Sequence, residues 1–472
     1  MEAEGPAWSQ PQPLRAAFLS ALLPGTGQLH VGARGRGWRM IGFDALLIGA
    51  LIVYLLRGEL EVAKDWVRPN ALVVMMLINL ALLAFRFLAA NDAYHLAGGT
   101  SRLGHPAGFA AGGAIGLVLL VPHVVFGYYN VVQHNLITTV FQSEDVAAPP
   151  SNTTPTTLDA GVTASNAVTV APGPAIWDGL DALSILLLGG DSGPGRTGVR
   201  TDTMIVVSID PETGNTAMFG IPRNFVEVPL PDGHGVWDCN CFPKLLNDLY
   251  MEGIQRPSAF PGPGAPEVNA IKGGIGELLG IPIHYYALVT LDSFVGIIDA
   301  LGGVDIDVQY LIVDEIYPHE DGVTIESVAI EPGMQTLDGH LALAYSRIRR
   351  HADDYARMNR QRCILEALVE QSNPAELVIA YPKIASVLED TLETDIPIAR
   401  LPDFIDLLPK IDTEKITTIR LIPPTYVGGK DANGKDIPDV ERIRNDVQVA
   451  INNPPDVAIA DLGIEALDDA CG

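Results

Sequence analysis

Three short apolar stretches decide the fold: ILLLGG (185–190), MIVVSID (204–210) and TAMFGIP (216–222). The first is apolar throughout and ends in two glycines, which is typical of a central strand buried on both faces. Only the turn sequence PETGN separates the second stretch from the third, so the two are predicted to pair as a hairpin. The three stretches therefore predict the middle of a β-sheet.

Strand-like and helix-like segments alternate after the hairpin. Residues 285–291 and 302–308 have strand character, whereas residues 268–279, 292–301 and 355–371 have helical periodicity. This alternation predicts an α/β domain with a central mixed sheet covered by helices.

The chain has 472 residues and a net charge of −27, which is unevenly distributed. Residues 1–141 contain 9 Lys+Arg and 7 Asp+Glu, so the other 21 basic and 50 acidic residues give the remainder a charge near −29. A surface this acidic repels nucleic-acid phosphates, so nucleic acid is not an expected partner. Arginines that bind phosphate must then be clustered locally.

Three apolar runs, at residues 41–56, 71–90 and 107–129, are plausible membrane-spanning helices. Four arginines precede the first run, and the positive-inside rule places the N-terminus in the cytoplasm. Three crossings then place the rest of the chain outside the cytoplasm. The expected location is the cell membrane, as a multi-pass protein.

Three regions follow from these patterns. Residues 1–141 are predicted to form an all-α transmembrane region. Residues 142–180 are rich in Pro, Thr, Ser and Ala and are predicted to be a flexible linker. Residues 181–472 are predicted to be the extracytoplasmic domain with a C-terminal extension.

Polar residues follow or precede the predicted strands. Asp191 comes directly after the first strand, Arg200 and Asp202 open the second, and Arg223 follows the third. If the second and third strands pair, Arg223 lies at the same end of the sheet as Arg200. Ligands of α/β sheets usually bind beyond strand ends.

A third cluster contains six arginines within residues 347–362. Arg347 and Arg349 alternate as on a strand, whereas Arg357 and Gln361 are one helical turn apart and share a face. Clustered arginines repel one another, so a compensating anion is expected, and the planar guanidinium suits phosphate oxygens. Together with the aspartates, these residues suit a diphosphate and Mg²⁺.

The cysteines leave alternatives open. Cys239 and Cys241 form a C-x-C pair without a second pair or a histidine at zinc-finger spacing. The alternatives are a disulfide from one of them to Cys363, free thiols and, least favoured, a metal site.

Seven separated motifs between residues 185 and 365 are similar to the LytR–CpsA–Psr family. They are ILLLGGDS, RTDTMIVVSID, FGIPRNFVEVP, KLLNDLY, GIPIHYYALVTLDSFVGIIDALGGVDIDV, GMQTLDGHLALAYSRIRR and DYARMNRQRCIL. The resemblance implies an Mg²⁺-dependent phosphotransferase that moves a glycopolymer from a polyprenyl-pyrophosphate carrier to peptidoglycan or another envelope acceptor. Three spanning helices depart from the single helix usual in that family.

The resemblance also assigns roles to residues. It implies metal ligands at Asp191 and Asp202, and a catalytic set of Asp202, Arg223, Arg347 and Arg349. The pyrophosphate-binding residues that it implies are Arg200, Arg223, Arg347, Arg349, Arg357 and Gln361. Lys244 and Asn247 match a further motif, and Asp354 matches the acid before the third-cluster arginine.

One position departs from the family pattern. Asn224 stands where the family commonly has aspartate. Asparagine can neither act as a base nor contribute a metal charge, but it could still orient Arg223 by hydrogen bonding if orientation is the role of that aspartate. Two alternatives to transfer stay open. One is a pyrophosphatase that hydrolyses the lipid carrier with water at the same site, and the other, to which Asn224 points, is a non-catalytic scaffold that binds the polyprenyl lipid.

Overall fold

The structure, a computed structural model, describes residues 12–99, 106–141, 177, 180–191, 199–232, 235–319, 324–348, 354–371, 374–412 and 415–463. The chain divides into two compact units, Met1–Ile137 and Thr138–Gly472. Each unit is described by itself.

The first unit is helical, as the sequence predicts. Its helices are α1 (Pro13–Leu22), α2 (Thr26–His30), α3 (Arg34–Leu55), α4 (Glu59–Trp66), α5 (Pro69–Leu96) and α6 (Pro106–Val140). Among the described residues, three segments are long and apolar enough to cross a membrane, namely Arg34–Leu55, Pro69–Leu96 and Ile115–Val140. The three predicted runs are therefore confirmed as candidate spans, although the first begins earlier and the third ends later than predicted.

The second unit combines strands with helices. Its strands are β1 (Leu183–Gly190), β2 (Thr201–Ile209), β3 (Thr216–Gly220), β4 (Val228–Pro229), β5 (Cys241–Phe242), β6 (Tyr285–Thr290), β7 (Val304–Val308), β8 (Ile312–Pro318), β9 (Ile325–Ile330), β10 (Gly333–Leu337), β11 (Leu392–Thr394), β12 (Thr417–Arg420), β13 (Val427–Lys430) and β14 (Asp436–Pro438). Its α-helices are α7 (Leu249–Gln255), α8 (Pro266–Leu279), α9 (Leu291–Leu301), α10 (Gly339–Arg347), α11 (Asp354–Glu370), α12 (Pro374–Thr391), α13 (Leu401–Leu407), α14 (Val440–Asn452) and α15 (Pro455–Leu462). Short 3₁₀ helices cover Leu246–Asp248, Pro257–Ala259, Ile398–Arg400 and Leu408–Lys410.

The central sheet has six strands in the order β11-β6-β1-β2-β3-β12. Strand β2 is antiparallel to both β1 and β3, which confirms the predicted hairpin. Strand β1 is parallel to β6, and β3 is parallel to β12. The sheet is therefore mixed, and the predicted α/β class is confirmed.

The two faces of β1 have different surroundings. Leu186 and Leu188 are buried in the main core, which the sheet shares with residues of α8 and α14. Leu187 and Gly189 point to the opposite face and line a cavity. Because side chains alternate along a strand, an uninterrupted apolar run supplies both a core face and an apolar cavity wall.

A second core lies among α9, α10, α11 and the hairpins outside the central sheet. Strand β7 is present where strand character was predicted, but it pairs with β10 and not with the central sheet. The strand-like alternation proposed for Arg347 is wrong, because Arg347 is the last residue of helix α10. Asp338 caps this helix by accepting a hydrogen bond from Leu341 N at 2.8 Å, and the helix buries its apolar face.

Two local features differ from the sequence-based expectations. Cys239 and Cys241 are bonded to each other, and Cys363 is also disulfide-bonded but to neither of them. A disulfide from the C-x-C pair to Cys363 is therefore wrong, and so are free thiols at these three positions. Trp177, within the predicted linker, is buried against Tyr285 and Phe404.

Candidate active site

A cavity of about 660 Å³ opens on the face of the central sheet opposite the main core. Strands β1, β2 and β6 and helices α9, α10 and α11 supply most of its wall. Its body is apolar, with Leu187, Ile205, Ala287, Val289, Phe294, Ile364, Leu365 and Leu368 among the lining residues. Six predicted site residues also line it: Asp191, Asp202, Arg223, Arg347, Arg357 and Gln361.

Strand pairing brings the residues from the first two clusters together. Gly190 at the end of β1 is in register with Thr201 at the start of β2, and Asp191 N donates to Arg200 O at 2.8 Å. Strand β3 runs antiparallel to β2 and ends at the same edge, just before Arg223. The sequence-based expectation that these strand ends meet is confirmed.

Asp202 is the centre of a hydrogen-bonded group that we term the Asp202 side of the cavity, comprising Asp202, Arg223, Asn247 and Arg357. Arg223 Nη1 lies 2.7 Å from Asp202 Oδ1, and Asn247 Nδ2 donates to the same oxygen at 3.0 Å. Arg357, which is 4% exposed, donates to the backbone carbonyl of Asp202 at 3.2 Å. These contacts hold the carboxylate and two guanidinium groups in one place.

These contacts determine the protonation of Asp202. Burial acts to raise the pKa of Asp202, but the Arg223 charge opposes it, supported by hydrogen bonds from Arg223 and Asn247 and by the Arg357 charge. The net result is a pKa below the ordinary value. Asp202 is therefore ionised at neutral pH and is a weak proton acceptor.

A second group of lining residues, which we term the Arg347 side, comprises Asp191, Arg347 and Tyr317. Arg347 Nη2 is 3.6 Å from Asp191 Oδ1, and the guanidinium carbon is 6.0 Å from the centre of the Tyr317 ring. Arg347 Nη1 is shielded from solvent and makes no hydrogen bond with any described residue. A shielded cationic donor without an acceptor is costly, so this atom favours an anionic ligand.

The arginines of the third cluster that lie on helix α11 make different contacts. Arg357 and Gln361 both line the cavity, as their spacing predicts, and Gln361 Nε2 donates to Ser346 O at 3.3 Å. Arg360 points elsewhere: its Nε donates to Tyr345 O at 2.6 Å, and its Nη2 donates to Ile348 O. Arg360 thus fixes the backbone on both sides of Arg347 and acts as a positioning residue.

Other predicted residues lie elsewhere. Arg200 is not among the residues lining the cavity; its side chain is 66% exposed and pairs with Asp248 at 3.1 Å. Lys244 pairs with Glu252 at 2.6 Å and also lies outside the lining. Arg349 and the side chain of Asp354 fall outside the described residues, so their roles stay predictions.

Asn224, the departure from the family pattern, is not part of the cavity lining. Its Oδ1 is shielded and accepts no hydrogen bond from any described residue. The side chain of asparagine could orient a guanidinium only by accepting at this oxygen, so the structure gives no support for Asn224 as the group that orients Arg223. Asp202 and the hydrogen bond from Asn247 N to Arg223 O, 3.1 Å long, hold that residue instead.

Sequence reasoning missed the contribution of strand β8. Asp314 and Tyr317 on this strand line the cavity, and Tyr317 contacts Arg347. The sequence signal is weak, because residues 312–318 contain one further aspartate in an already acidic domain. Asn247 was noted without a role, and its hydrogen bond to Asp202 supplies one.

Asp191 and Asp202 provide a donor set that fits Mg²⁺. Both carboxylates line the same end of the cavity from adjacent strands, and Mg²⁺ prefers oxygen ligands, commonly one or two carboxylates with substrate phosphates and water. The surrounding arginines offer no competing metal ligand, since guanidinium groups are donors only.

The fold and the cavity define a class: an α/β domain with an arginine-lined apolar cavity, on a chain with three candidate membrane spans. The profile of the LytR_cpsA_psr family matches residues 151–448. The chain belongs to this family.

The chain is also similar to individual members of this family. The chain is 30% identical over 224 residues to the polyisoprenyl-teichoic acid–peptidoglycan teichoic acid transferase TagU of Oceanobacillus iheyensis, covering 47% of this chain and 61% of that protein. It is 27% identical over 264 residues to the corresponding transferase TagV of Bacillus subtilis, covering 55% and 62%. The crystal structure of B. subtilis TagV matches 58% of this chain and 98% of that chain at 27% identity with a TM-score of 0.42. The matches thus span about three-fifths of the curated relatives' length.

Proposed function

We propose that this protein is a phosphotransferase that moves a glycopolymer from a polyprenyl-pyrophosphate carrier to a cell-envelope acceptor such as peptidoglycan. The observation that carries the proposal is the pairing of an apolar cavity body with an end at which Arg347 keeps a shielded donor without an acceptor. A polyprenyl pyrophosphate has the matching form, an apolar chain joined to a compact anion. The relatives TagU and TagV are named as teichoic acid transferases acting from a polyisoprenyl carrier to peptidoglycan.

The arginines bind the pyrophosphate in this proposal. Arg347 provides the donor that has no acceptor, while Arg223 and Arg357 add positive charge from the Asp202 side. Guanidinium groups bind phosphate oxygens in bidentate geometry and keep their charge at any physiological pH. Arg349, predicted to belong to this set, follows Arg347 by two residues.

The transfer itself forms one phosphorus–oxygen bond and breaks another. A hydroxyl of the acceptor attacks the sugar-linked phosphorus and gives its proton to solvent water, and polyprenyl phosphate leaves with the electron pair of the broken phosphoanhydride bond. When bound, Mg²⁺ supplies electrostatic stabilisation of the charge on the phosphate oxygens. Asp191 and Asp202 hold the metal in this proposal, because both are carboxylates at the polar end of the cavity.

The low pKa of Asp202 bears on its role. A carboxylate held below its ordinary pKa by Arg223 is poorly suited to accept a proton at neutral pH. We therefore assign Asp202 to charge and positioning, and catalysis rests on alignment and electrostatic stabilisation.

The proposed location follows from the candidate spans. In this proposal the N-terminus is cytoplasmic and the chain crosses the membrane three times, so the cavity lies outside the cytoplasm, where peptidoglycan is available. Labelling of cysteines introduced singly at exposed positions of the second unit in intact cells tests this. Protection of these positions from a membrane-impermeant thiol reagent would contradict it.

The function is tested with the full-length protein, a synthetic polyprenyl-pyrophosphate oligosaccharide and a peptidoglycan fragment, with and without Mg²⁺. We expect an acceptor-linked sugar phosphate and free polyprenyl phosphate, detected by mass spectrometry, only when acceptor and Mg²⁺ are both present. Arg347→Ala should abolish the product, whereas Arg256→Ala, an exposed arginine paired with Glu252, serves as the matched control.

The same assay separates the alternatives. Release of polyprenyl phosphate at an undiminished rate without acceptor would identify a pyrophosphatase. Stoichiometric lipid binding without any product would identify a scaffold. Either result would replace the transferase proposal.

A further inference from the structure

Three potential metal ligands meet outside the cavity, on the far side of Tyr317. His319 follows strand β8, Glu326 lies on β9, and His340 lies in the first turn of α10. One ligand atom from each lies within 4.8 Å of those from the other two. We propose that His319, Glu326 and His340 form a binding site for a transition-metal dication such as Zn²⁺.

The surroundings of Glu326 favour a bound cation. Along β9 its side chain is on the same face as Val328 and Ile330, which are buried in the second core. Glu326 Oε1 is shielded from solvent and accepts no hydrogen bond of suitable geometry from any described residue. A shielded carboxylate oxygen is costly unless positive charge or a donor compensates it.

The two histidines lie close enough to Glu326 to share a metal ion with it. His340 Nε2 lies 3.1 Å from Glu326 Oε1, and the His319 and His340 rings stack with centres 5.1 Å apart. Zn²⁺ forms bonds of about 2.0–2.2 Å to imidazole nitrogen and carboxylate oxygen, so ligand atoms around it lie roughly 3.4 Å apart. The His340–Glu326 edge already has about this length, and the His319 ligand atom lies within 4.8 Å of the other two.

The choice of metal follows from the ligands. Imidazole nitrogen suits Zn²⁺ and its transition-metal neighbours, whereas Mg²⁺ and Ca²⁺ prefer oxygen alone. Two histidines and one glutamate leave one tetrahedral position for water. This donor set differs from the two-aspartate set in the cavity, so the two sites should not compete for the same ion.

The location suggests what the metal does. The ion would tie the β8–β9 hairpin to helix α10, whose last residue is Arg347. The Tyr317 ring lies between the two sites, 5.8 Å from the His340 ring and 6.0 Å from the Arg347 guanidinium. A bound metal would therefore hold Tyr317 and Arg347 in place at the polar end of the cavity.

The test is titration of metal-free full-length protein with Co²⁺, whose visible absorption reports its ligands, followed by displacement with Zn²⁺. We expect one equivalent to bind with a spectrum typical of nitrogen and oxygen ligands and to resist excess Mg²⁺. His319→Asn, Glu326→Gln and His340→Asn should each weaken binding at least tenfold. His30→Asn and Glu331→Gln, both at exposed positions, are the matched controls and should leave binding unchanged.

A thermal readout covers variants that fold poorly. Zn²⁺ should raise the unfolding temperature of the wild-type protein and of both controls but not of the ligand variants. Equal binding by wild type and by the His319→Asn/His340→Asn double variant would overturn the proposal. The experiment does not depend on the proposed transferase activity, so failure of one does not imply failure of the other.

Discussion

Arg223 and Arg347 lie at the same end of the cavity, but the protein treats them differently. On the Asp202 side, Arg223 is 2.7 Å from Asp202 Oδ1, and Asn247 contacts the same oxygen. On the Arg347 side, the nearest ion-pair distance is 3.6 Å, and one shielded donor has no hydrogen bond with any described residue. The first side is neutralised within the protein, whereas the second favours an external anion.

The difference indicates a division of work. On the Asp202 side, the ion pair fixes the position of the Arg223 guanidinium but neutralises positive charge that could otherwise bind a ligand. The Arg347 side keeps its charge for the ligand. Substitutions on the two sides should therefore differ in their effects on activity and on stability.

Arg347→Ala should have the largest effect on activity. Losing a preorganised charge at a reacting phosphate should lower the transfer rate on the order of 10³-fold, or about 4 kcal/mol of transition-state stabilisation. Stability should change less than for Asp202→Asn, because the ion pair of Arg347 with Asp191 is longer, at 3.6 Å, and one of its shielded donors makes no hydrogen bond with a described residue. Steady-state rates and thermal unfolding measure both effects, and Arg347→Lys tests how much a point charge restores. A rate within tenfold of wild type would contradict the role of Arg347.

Asp202→Asn should have the next largest effect and should act on stability as well. Arg223 would lose its carboxylate, so the free energy of unfolding should fall by about 1–3 kcal/mol and the rate on the order of 10²-fold. Asn247→Ala, which leaves the carboxylate in place, is the matched comparison and should show smaller losses of both. A stable and active Asp202→Asn protein would remove the distinction between the two sides.

The pH dependence of stability follows from the same ion pair. The pKa of Asp202 in the folded protein is lower than its ordinary value of 3.8. The carboxylate therefore makes its full contribution to the free energy of unfolding when the pH is above the pKa of the unfolded state. That contribution is lost as the pH falls through the folded-state value. Acid unfolding of the wild type should therefore show a steeper loss of stability below about pH 4 than Asp202→Asn shows. If the wild type and Asp202→Asn lost stability equally as the pH falls, Asp202 would not be held in its ionised form.

Leu365→Glu should have a smaller effect, confined to binding of the lipid chain. Leu365 lines the apolar body of the cavity, and a carboxylate there opposes burial of a polyprenyl tail. We expect KM for a long-chain substrate to rise about tenfold, with little change for a short-chain analogue. Leu365→Met is the control. An equal loss with both substrates would show that the apolar body does not bind the chain.

Arg200→Ala should have the smallest effect, a rate change within about threefold. Its guanidinium is exposed and paired with Asp248, and exposed ion pairs contribute little. Parallel rate measurements with Arg223→Ala provide the comparison, and we expect a much larger loss for Arg223→Ala. A loss at Arg200 as large as that at Arg347 would return Arg200 to the binding site, as the family resemblance implies.

Local patterns in the sequence were sufficient to predict several secondary-structure elements. The β2–β3 hairpin, helix α11 and the three candidate spans each follow from a turn signal or a hydrophobic period within one segment. The spacing of Arg357 and Gln361 likewise placed both on one helical face. Such features depend on neighbours in the chain, so one segment contains the whole signal.

Features that depend on distant segments were predicted less well. The strand-like spacing of Arg347 and Arg349 concealed a helix that Asp338 caps and that buries its apolar face in the second core. Strand β7 was recognised, but its partner was not, because β10 follows only after the β8–β9 hairpin. The C-x-C pair closed on itself although a longer disulfide was considered.

The sequence alone determined the membrane-associated and acidic parts of the chain, the α/β alternation and the residue types able to bind a phosphate. Those properties depend on composition and on periods of a few residues. Only the tertiary structure decided which arginine is paired, that Asn247 holds Asp202, and that His319, Glu326 and His340 converge. These contacts join residues far apart in the chain, and their free energies depend on burial and distance, which appear only when the core has packed.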